Sequence, residues 1–149
     1  MSLQPYPEGF DHAWLAADQV GHVGMFITAG RGPMPEAAPN EEFEDVEDVS
    51  LTLLRTCGAK VLRRMPHPDA FLALAERGFF VFDWSDVHRT KANELRAYEL
   101  TAIPDRPIAV GLLPSRLLKA ANAAVLDQIQ FSNEQTIDVA AHLRCIGPG

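Results

Sequence analysis

Three residues that could transfer protons or bind a metal lie close together in the chain, namely Asp83, Asp86 and His88. Carboxylate and imidazole groups are the usual acids and bases of enzymes, and both are metal ligands. They follow the apolar run 79–82, which lacks polar alternation and so predicts a buried strand. Together with Trp84, which could line a pocket beside them, they are one candidate site for a small enzyme or a ligand-binding domain.

The same residues also have a purely structural interpretation. Asp83 and Ser85 are typical turn residues, and His88 is then a solvated side chain. Trp84 is equally explained as part of the core, with the other aromatic residues on predicted strands. The sequence offers no second cluster of His, Asp or Glu to complete a coordination shell, so we assign no metal ion, no cofactor and no catalytic residue.

A second candidate is an acidic segment. The chain has 149 residues with 20 acids and 13 bases, which gives a formal net charge of -7. The segment 36–48 contains no Lys or Arg, and seven acids lie in it: Glu36, Glu41, Glu42, Glu44, Asp45, Glu47 and Asp48. The acids outside this segment balance the bases, so the whole net charge belongs to it. An acidic surface of this kind would attract a basic protein partner by electrostatic steering.

The acidic segment can also be explained without a partner. Asn40 is a good N-cap, and carboxylates in the first turns of a helix interact favourably with the helix dipole. The acids at 41, 42, 44 and 45 would occupy those turns, and those at 47 and 48 would continue a solvated face. Calcium binding is not indicated, because the segment lacks the alternating oxygen ligands around a glycine turn that a calcium loop needs.

Composition excludes several classes of protein. The acidic balance and the absence of a basic cluster argue against nucleic-acid binding. No apolar run approaches the roughly 20 residues that span a bilayer, and no basic and then apolar leader opens the sequence, so we expect no membrane association. Cys57 and Cys145 suggest neither a disulfide framework nor a zinc site, and a reducing cytoplasm is the expected location. A GxSxG nucleophile elbow is also missing.

Helices and strands are mixed along the chain, with hairpin patterns at 12–28 and 95–113. The predicted helices are 41–57, 69–77, 115–124 and 134–145. The predicted strands are 12–18, 22–28, 59–64, 79–82, 95–103, 107–113 and 125–131. Because no βαβ repeat is sustained, the order predicts a single α+β domain over residues 1–149, with a mainly antiparallel sheet and about four helices packed on one face.

The first hairpin carries a resemblance. The strings 11–18 (DHAWLAAD), 21–30 (GHVGMFITAG) and 32–35 (GPMP) resemble the opening of small uncharacterised bacterial proteins, some of which are similar to the immunity proteins that accompany polymorphic toxins. The resemblance covers about 25 residues and includes no functional site. It implies a bacterial, cytoplasmic and non-enzymatic protein that binds and neutralises a partner.

These observations favour a binding or inhibitor module that uses Glu41, Glu42, Glu44, Asp45, Glu47 and Asp48 as an acidic contact surface. The rival hypothesis is a small enzyme or ligand-binding domain whose pocket contains Asp83, Trp84, Asp86 and His88. A third hypothesis is a structural protein that forms a homo-oligomer.

Overall fold

The structure, a computed structural model, describes residues 6, 12–39, 43, 45–62, 68–84 and 97–147. The strands in this part are β1 (Ala13–Asp18), β2 (Val23–Ile27), β3 (Met34–Pro35), β4 (Ala59–Val61), β5 (Phe80–Asp83), β6 (Tyr98–Pro104), β7 (Val125–Leu126), β8 (Thr136–Ile137) and β9 (Cys145–Ile146). The helices there are α1 (Val46–Ser50), α2 (Asp69–Ala75) and α3 (Ser115–Asn122). None of these helices is long and apolar enough to cross a bilayer.

Seven of these strands form one mixed sheet. Its order is β4-β6-β5-β2-β1-β7, and β8 pairs with β6 beside β4. Strand β5 runs parallel to β2, and β7 runs parallel to β1, while the other neighbours are antiparallel. The expectation of a mainly antiparallel sheet with about four helices is therefore wrong. The chain leaves β2, passes α1 and α2, and returns beside β2 in the same direction, which is the kind of long connection that parallel strands require.

The central strands are buried on both faces. On one face, α1, α2 and α3 cover an apolar layer that includes Leu15, Met25 and Val81. On the other face, Phe26 and its aromatic neighbours are covered by β3 and by the C-terminal segment 124–146. Every residue of β1, β2 and β5 is buried as a result, which confirms the prediction that the apolar run ending at Phe82 forms a buried strand.

The C-terminal segment covers the second face without forming the helix predicted for 134–145. It consists of the 3-10 turns Phe131–Asn133 and Val139–Ala141 with the short strands β8 and β9. Ile137 and Val139 both point into the aromatic layer, and a spacing of two residues is the spacing of a strand. The predicted final helix is therefore wrong because burial of these two residues overrides the helical pattern.

The predicted hairpin at 95–113 is also wrong. Its first arm is β6, but the second arm pairs with a different element, because Ala109 bridges to His22 and is followed by the 3-10 turn Val110–Leu112. Pro104 and Pro107 flank the turn and lack the N–H groups that a continuous ladder would need.

The first hairpin is confirmed, and a buried carboxylate holds its turn. Strands β1 and β2 pair from Ala13 opposite Ile27 to Ala17 opposite Val23. The side chain of Asp18 is 0% exposed. Its Oδ1 accepts hydrogen bonds from the backbone N–H groups of Val20 at 3.0 Å and His22 at 2.8 Å, and its Oδ2 accepts one from Phe131 N–H at 2.8 Å. This one side chain therefore joins the turn to the C-terminal layer.

We expect Asp18→Asn to lower the free energy of unfolding by about 1–3 kcal/mol, because an amide has one acceptor oxygen and leaves at least one buried N–H donor unsatisfied. Urea unfolding followed by circular dichroism measures this. The exposed Asp127 is the control, and Asp127→Asn should change stability by less than about 0.5 kcal/mol. Equal stability of wild type and Asp18→Asn would show that the carboxylate does not hold the two layers together.

Candidate functional site

Asp83 lies where β5 ends, beside the end of the parallel strand β2. The register places Asp83 opposite Ile27, and the next residue, Trp84, donates its backbone N–H to the Ile27 carbonyl oxygen at 3.0 Å. The carboxyl ends of parallel strands are the positions at which open sheets most often present ligand-binding groups. Asp83 is 5% exposed and belongs to β5, so it is not the turn residue of the structural interpretation.

Glu99, which sequence reasoning missed, lies directly across from Asp83 on β6. It is 7% exposed. Opposed residues of an antiparallel pair have Cβ atoms about 4.5–5.5 Å apart and point to the same face of the sheet. The sheet therefore places two buried carboxyl groups side by side. The sequence offered one signal for Glu99, since it is a charged residue within the mainly apolar segment 98–103. Its pairing with Asp83 follows only from the strand register.

Pairs of neighbouring carboxyl groups are a common arrangement in acid–base sites. The register of β5 and β6 shifts between Val81 and Phe82, which marks a β-bulge next to the pair of Asp83 and Glu99. Bulges are frequent beside functional sites because they redirect side chains. Asp86 and His88, the other members of the predicted pocket, lie outside the described residues. Within the described part, no group of three His, Cys, Asp or Glu could hold a metal ion.

Trp84 points to the opposite face, into an aromatic cluster centred on Tyr98. The two rings lie 5.1 Å apart, centroid to centroid, and Trp84 is buried. The Tyr98 hydroxyl donates to the Pro33 carbonyl oxygen at 2.7 Å and accepts from Trp14 Nε1 at 3.3 Å. Trp84 is thus a core residue, as the structural interpretation of the sequence had it, and does not share a pocket with the Asp83 carboxylate.

The loop after β2 is shaped by the same cluster. A Cβ at Gly32 would lie 2.6 Å from the Tyr98 hydroxyl and 2.8 Å from Trp84 Cγ, so only glycine fits there. The Tyr6 hydroxyl also donates to the Gly32 carbonyl oxygen. This loop, which contains Gly32 and Pro33 and leads towards the acidic segment, is therefore packed on the aromatic layer and fixed in place.

In the described part of the acidic segment, the α-helix is short. Helix α1 covers Val46–Ser50 and ends well before residue 57, so the predicted extent of the helix at 41–57 is wrong. The predicted N-cap Asn40 lies outside the described residues, as do Glu41, Glu42 and Glu44. Beyond Ser50 the Arg77 guanidinium donates to the carbonyl oxygens of Leu51 at 2.8 Å and Leu53 at 2.9 Å, which holds the chain in a non-helical path. Leu54 is 84% exposed.

The acids that are described lie at the surface around α1. Asp45 is about half exposed and forms an ion pair with Arg116 of α3 at 2.9 Å. Asp48 is exposed and Glu47 is half-buried. Between them, Val46 is 1% exposed and packs in the core with Phe43. The two apolar side chains anchor the segment to the helical layer, and the acids of the described part face outward around this anchor.

A groove of about 410 Å³ lies on the other face of the sheet, and sequence reasoning missed it too. Its floor is Phe80, Leu100 and Ile103, and one wall is the segment 132–135. Ligand-binding pockets typically measure about 300–1,000 Å³. The groove lies between the segment 132–135, which leads into β8, and the part of the sheet around Leu62 and Ile103, and no local pattern in the sequence marks this junction.

Comparisons with protein-family models, with curated proteins and with solved structures found no match to this chain. The resemblance of the first hairpin to immunity-like proteins therefore stays a prediction.

Burial raises the pKa of Tyr98 well above its ordinary value of 10.0, and the hydrogen bond from Trp14 opposes this only in part. The folded state thus retains the Tyr98 proton at a pH where the unfolded chain has lost it. Stability from this residue is full below pH 10.0 and falls as the pH rises further. We expect Tyr98→Phe to flatten that alkaline fall.

At neutral pH, Tyr98→Phe should lower the free energy of unfolding by about 1–2 kcal/mol, since the Trp14 N–H and the Pro33 carbonyl both lose a partner. Urea unfolding of wild type and variant at neutral pH and above pH 10 measures both effects. Parallel alkaline limbs for the two proteins would contradict the proposed protonation of Tyr98.

Proposed function

We propose that the chain is a protein-binding module of inhibitor type, and that the acidic segment 36–48 is its contact surface for a basic protein partner. The observation that carries the proposal is the anchoring of this segment. Phe43 and Val46 are buried in the core, so the described acids next to Val46, namely Asp45, Glu47 and Asp48, are held on the body of the domain. A fixed array of like charges gives both a steering field and a defined docking position.

The segment before α1 supports the same proposal. Strand β3 pairs with β9, and the Glu36 backbone N–H donates to the Arg144 carbonyl oxygen at 3.1 Å. Ala38 is buried in the aromatic layer. The acidic segment is therefore held at both ends, by the C-terminal layer before it and by the helical layer after it. Such preorganisation lowers the entropy cost of forming an interface.

The ion pair of Asp45 with Arg116 leaves Asp45 accessible to a partner. Both side chains are about half exposed. Exposed ion pairs of this kind contribute about 0–1 kcal/mol, so a basic partner can replace Arg116 at little cost.

The test compares two variants of equal charge. The first carries Glu41→Gln, Glu42→Gln and Glu44→Gln, which removes three charges and keeps the ion pair of Asp45 with Arg116. The second carries Asp69→Asn, Asp127→Asn and Asp138→Asn, three exposed acids outside the segment. Immobilised wild type is used to capture proteins from an extract of the native host, and a captured basic protein is then purified and its association rate measured.

We expect the first variant to associate about tenfold more slowly or worse, because steering depends on local charge. The second variant should keep a rate close to that of wild type. The rate for wild type should also fall as salt is added. Equal association rates for wild type and the first variant would refute an acidic contact surface in the segment 36–48. An equal loss of association rate in both variants would refute it as well.

A second candidate function is supported by the opposed carboxyl groups of Asp83 and Glu99, which suit an acid–base site in a small enzyme or ligand-binding domain. Such a site requires the two groups to influence each other's protonation. A double-mutant cycle of Asp83→Asn and Glu99→Gln, measured by urea unfolding, tests this. We expect a coupling free energy of about 0.5–3 kcal/mol at neutral pH.

Additive effects of Asp83→Asn and Glu99→Gln, within about 0.5 kcal/mol at neutral pH, would remove this second candidate. The cycle has an internal control, because Asp83→Asn with Asp127→Asn pairs the same substitution with a distant exposed acid. That second cycle should be additive at every pH.

A further inference from the structure

The groove on the face opposite the helices combines an apolar floor with a polar wall. Phe80 and Leu100 form the floor with Ile103, and all three belong to or pack against the aromatic layer. Leu62, which is 41% exposed, and two prolines continue the apolar lining at the edge of the sheet. The polar wall contains, in order, Ser132, Asn133, Glu134 and Gln135.

Both sides of the groove are fixed by the backbone. The floor belongs to β5 and β6, which pair with each other. The polar wall is attached at each end: Phe131 N–H donates to the Asp18 carboxylate at 2.8 Å, and the Gln135 carbonyl oxygen accepts from Leu100 N–H at 2.8 Å. Immediately after it, β8 pairs with β6. The groove is thus formed before any ligand arrives, which is the usual state of small-molecule sites.

The charge of the lining selects the ligand. Glu134 is half-buried and brings a carboxylate to the polar wall, while none of the described residues that line the groove is Lys or Arg. Amide and hydroxyl groups beside Glu134 can accept further hydrogen bonds from a donor. A flat apolar group fits the floor, and a cationic donor fits the wall. A carboxylate ligand would be repelled by Glu134.

We propose that this groove binds a small organic amine, in which an aromatic or branched apolar body lies on Phe80, Leu100 and Ile103 and a protonated amine donates to the Glu134 carboxylate. A volume of about 410 Å³ accommodates one ring system with a short chain. This site is separate from the acidic segment, because no described residue of 36–48 lines the groove. It does not depend on the proposed protein-binding function.

Three probe molecules, which differ in whether they carry an apolar ring and a protonated amine, test the proposal on the full chain. Tryptamine has a ring and an ammonium group, indole-3-propionate has the ring with a carboxylate, and butylamine has the ammonium group without a ring. Titrations of isotope-labelled protein are followed by NMR. We expect tryptamine to shift the backbone amide signals of Leu100, Asn133 and Gln135 saturably, and the other two probes to bind at least about tenfold more weakly.

Two variants assign the contacts. Glu134→Gln should weaken tryptamine binding about two- to fivefold, as expected for a partly exposed ion pair, and should reduce the preference over indole-3-propionate. Leu62→Ala should weaken tryptamine binding by removing part of the apolar lining. Asp127→Asn removes a carboxylate outside the groove and should leave the affinity unchanged. Thermal unfolding of each variant verifies that it is folded.

The proposal is overturned by any of three results. The first is no saturable shift at Leu100, Asn133 and Gln135 with tryptamine in folded protein. The second is equal affinity for tryptamine and indole-3-propionate. The third is equal weakening by Glu134→Gln and Asp127→Asn, which would assign the effect to overall charge.

Discussion

Burial of the central strands on both faces is the constraint on which the rest of the structure depends. A sheet whose strands β1, β2 and β5 have no exposed residue needs two covering layers. Three short helices provide one of them, and the segment 124–146 with β3 provides the other. The second layer has little regular structure of its own, so it must be attached to the sheet by individual side chains. Asp18 and Tyr98 are the two clearest attachments.

These two attachments explain how the segment 124–146 can form a rigid layer although it has little regular secondary structure. The Asp18 carboxylate accepts three backbone hydrogen bonds, one of which comes from Phe131 in the covering segment. Phe131 can approach the sheet because it passes over Gly24, where a Cβ would lie 3.0 Å from its ring. Tyr98 uses its hydroxyl in the same way to hold the loop at Pro33. Asp83 and Glu99 differ from these two in that they lie opposite each other in the register of β5 and β6.

How much of this follows from the sequence depends on whether the determining contacts are local. The hairpin turn at Asp18 and the buried run ending at Phe82 were predictable, since each is marked by neighbouring residues. Helix α2 was predictable too, because Gly78 takes the left-handed conformation, φ 99°, that ends it. Helix α1 was predicted too long because Arg77, far along the chain, binds the carbonyl groups after it. Likewise, Glu99 gains significance only from a register that no local pattern reveals.

The two proposed surfaces follow from the same architecture but lie in different parts of it. The acidic segment begins on the C-terminal layer, where Ala38 is buried, and continues to the helical layer, where Phe43 and Val46 are buried. The groove lies between residues 132–135 and the part of the sheet around Leu62 and Ile103. Both proposals use carboxylates beside apolar residues to select positive charge. The proposed ligands differ in size, because an array of acids suits a protein surface, whereas a groove with one carboxylate suits a single small amine.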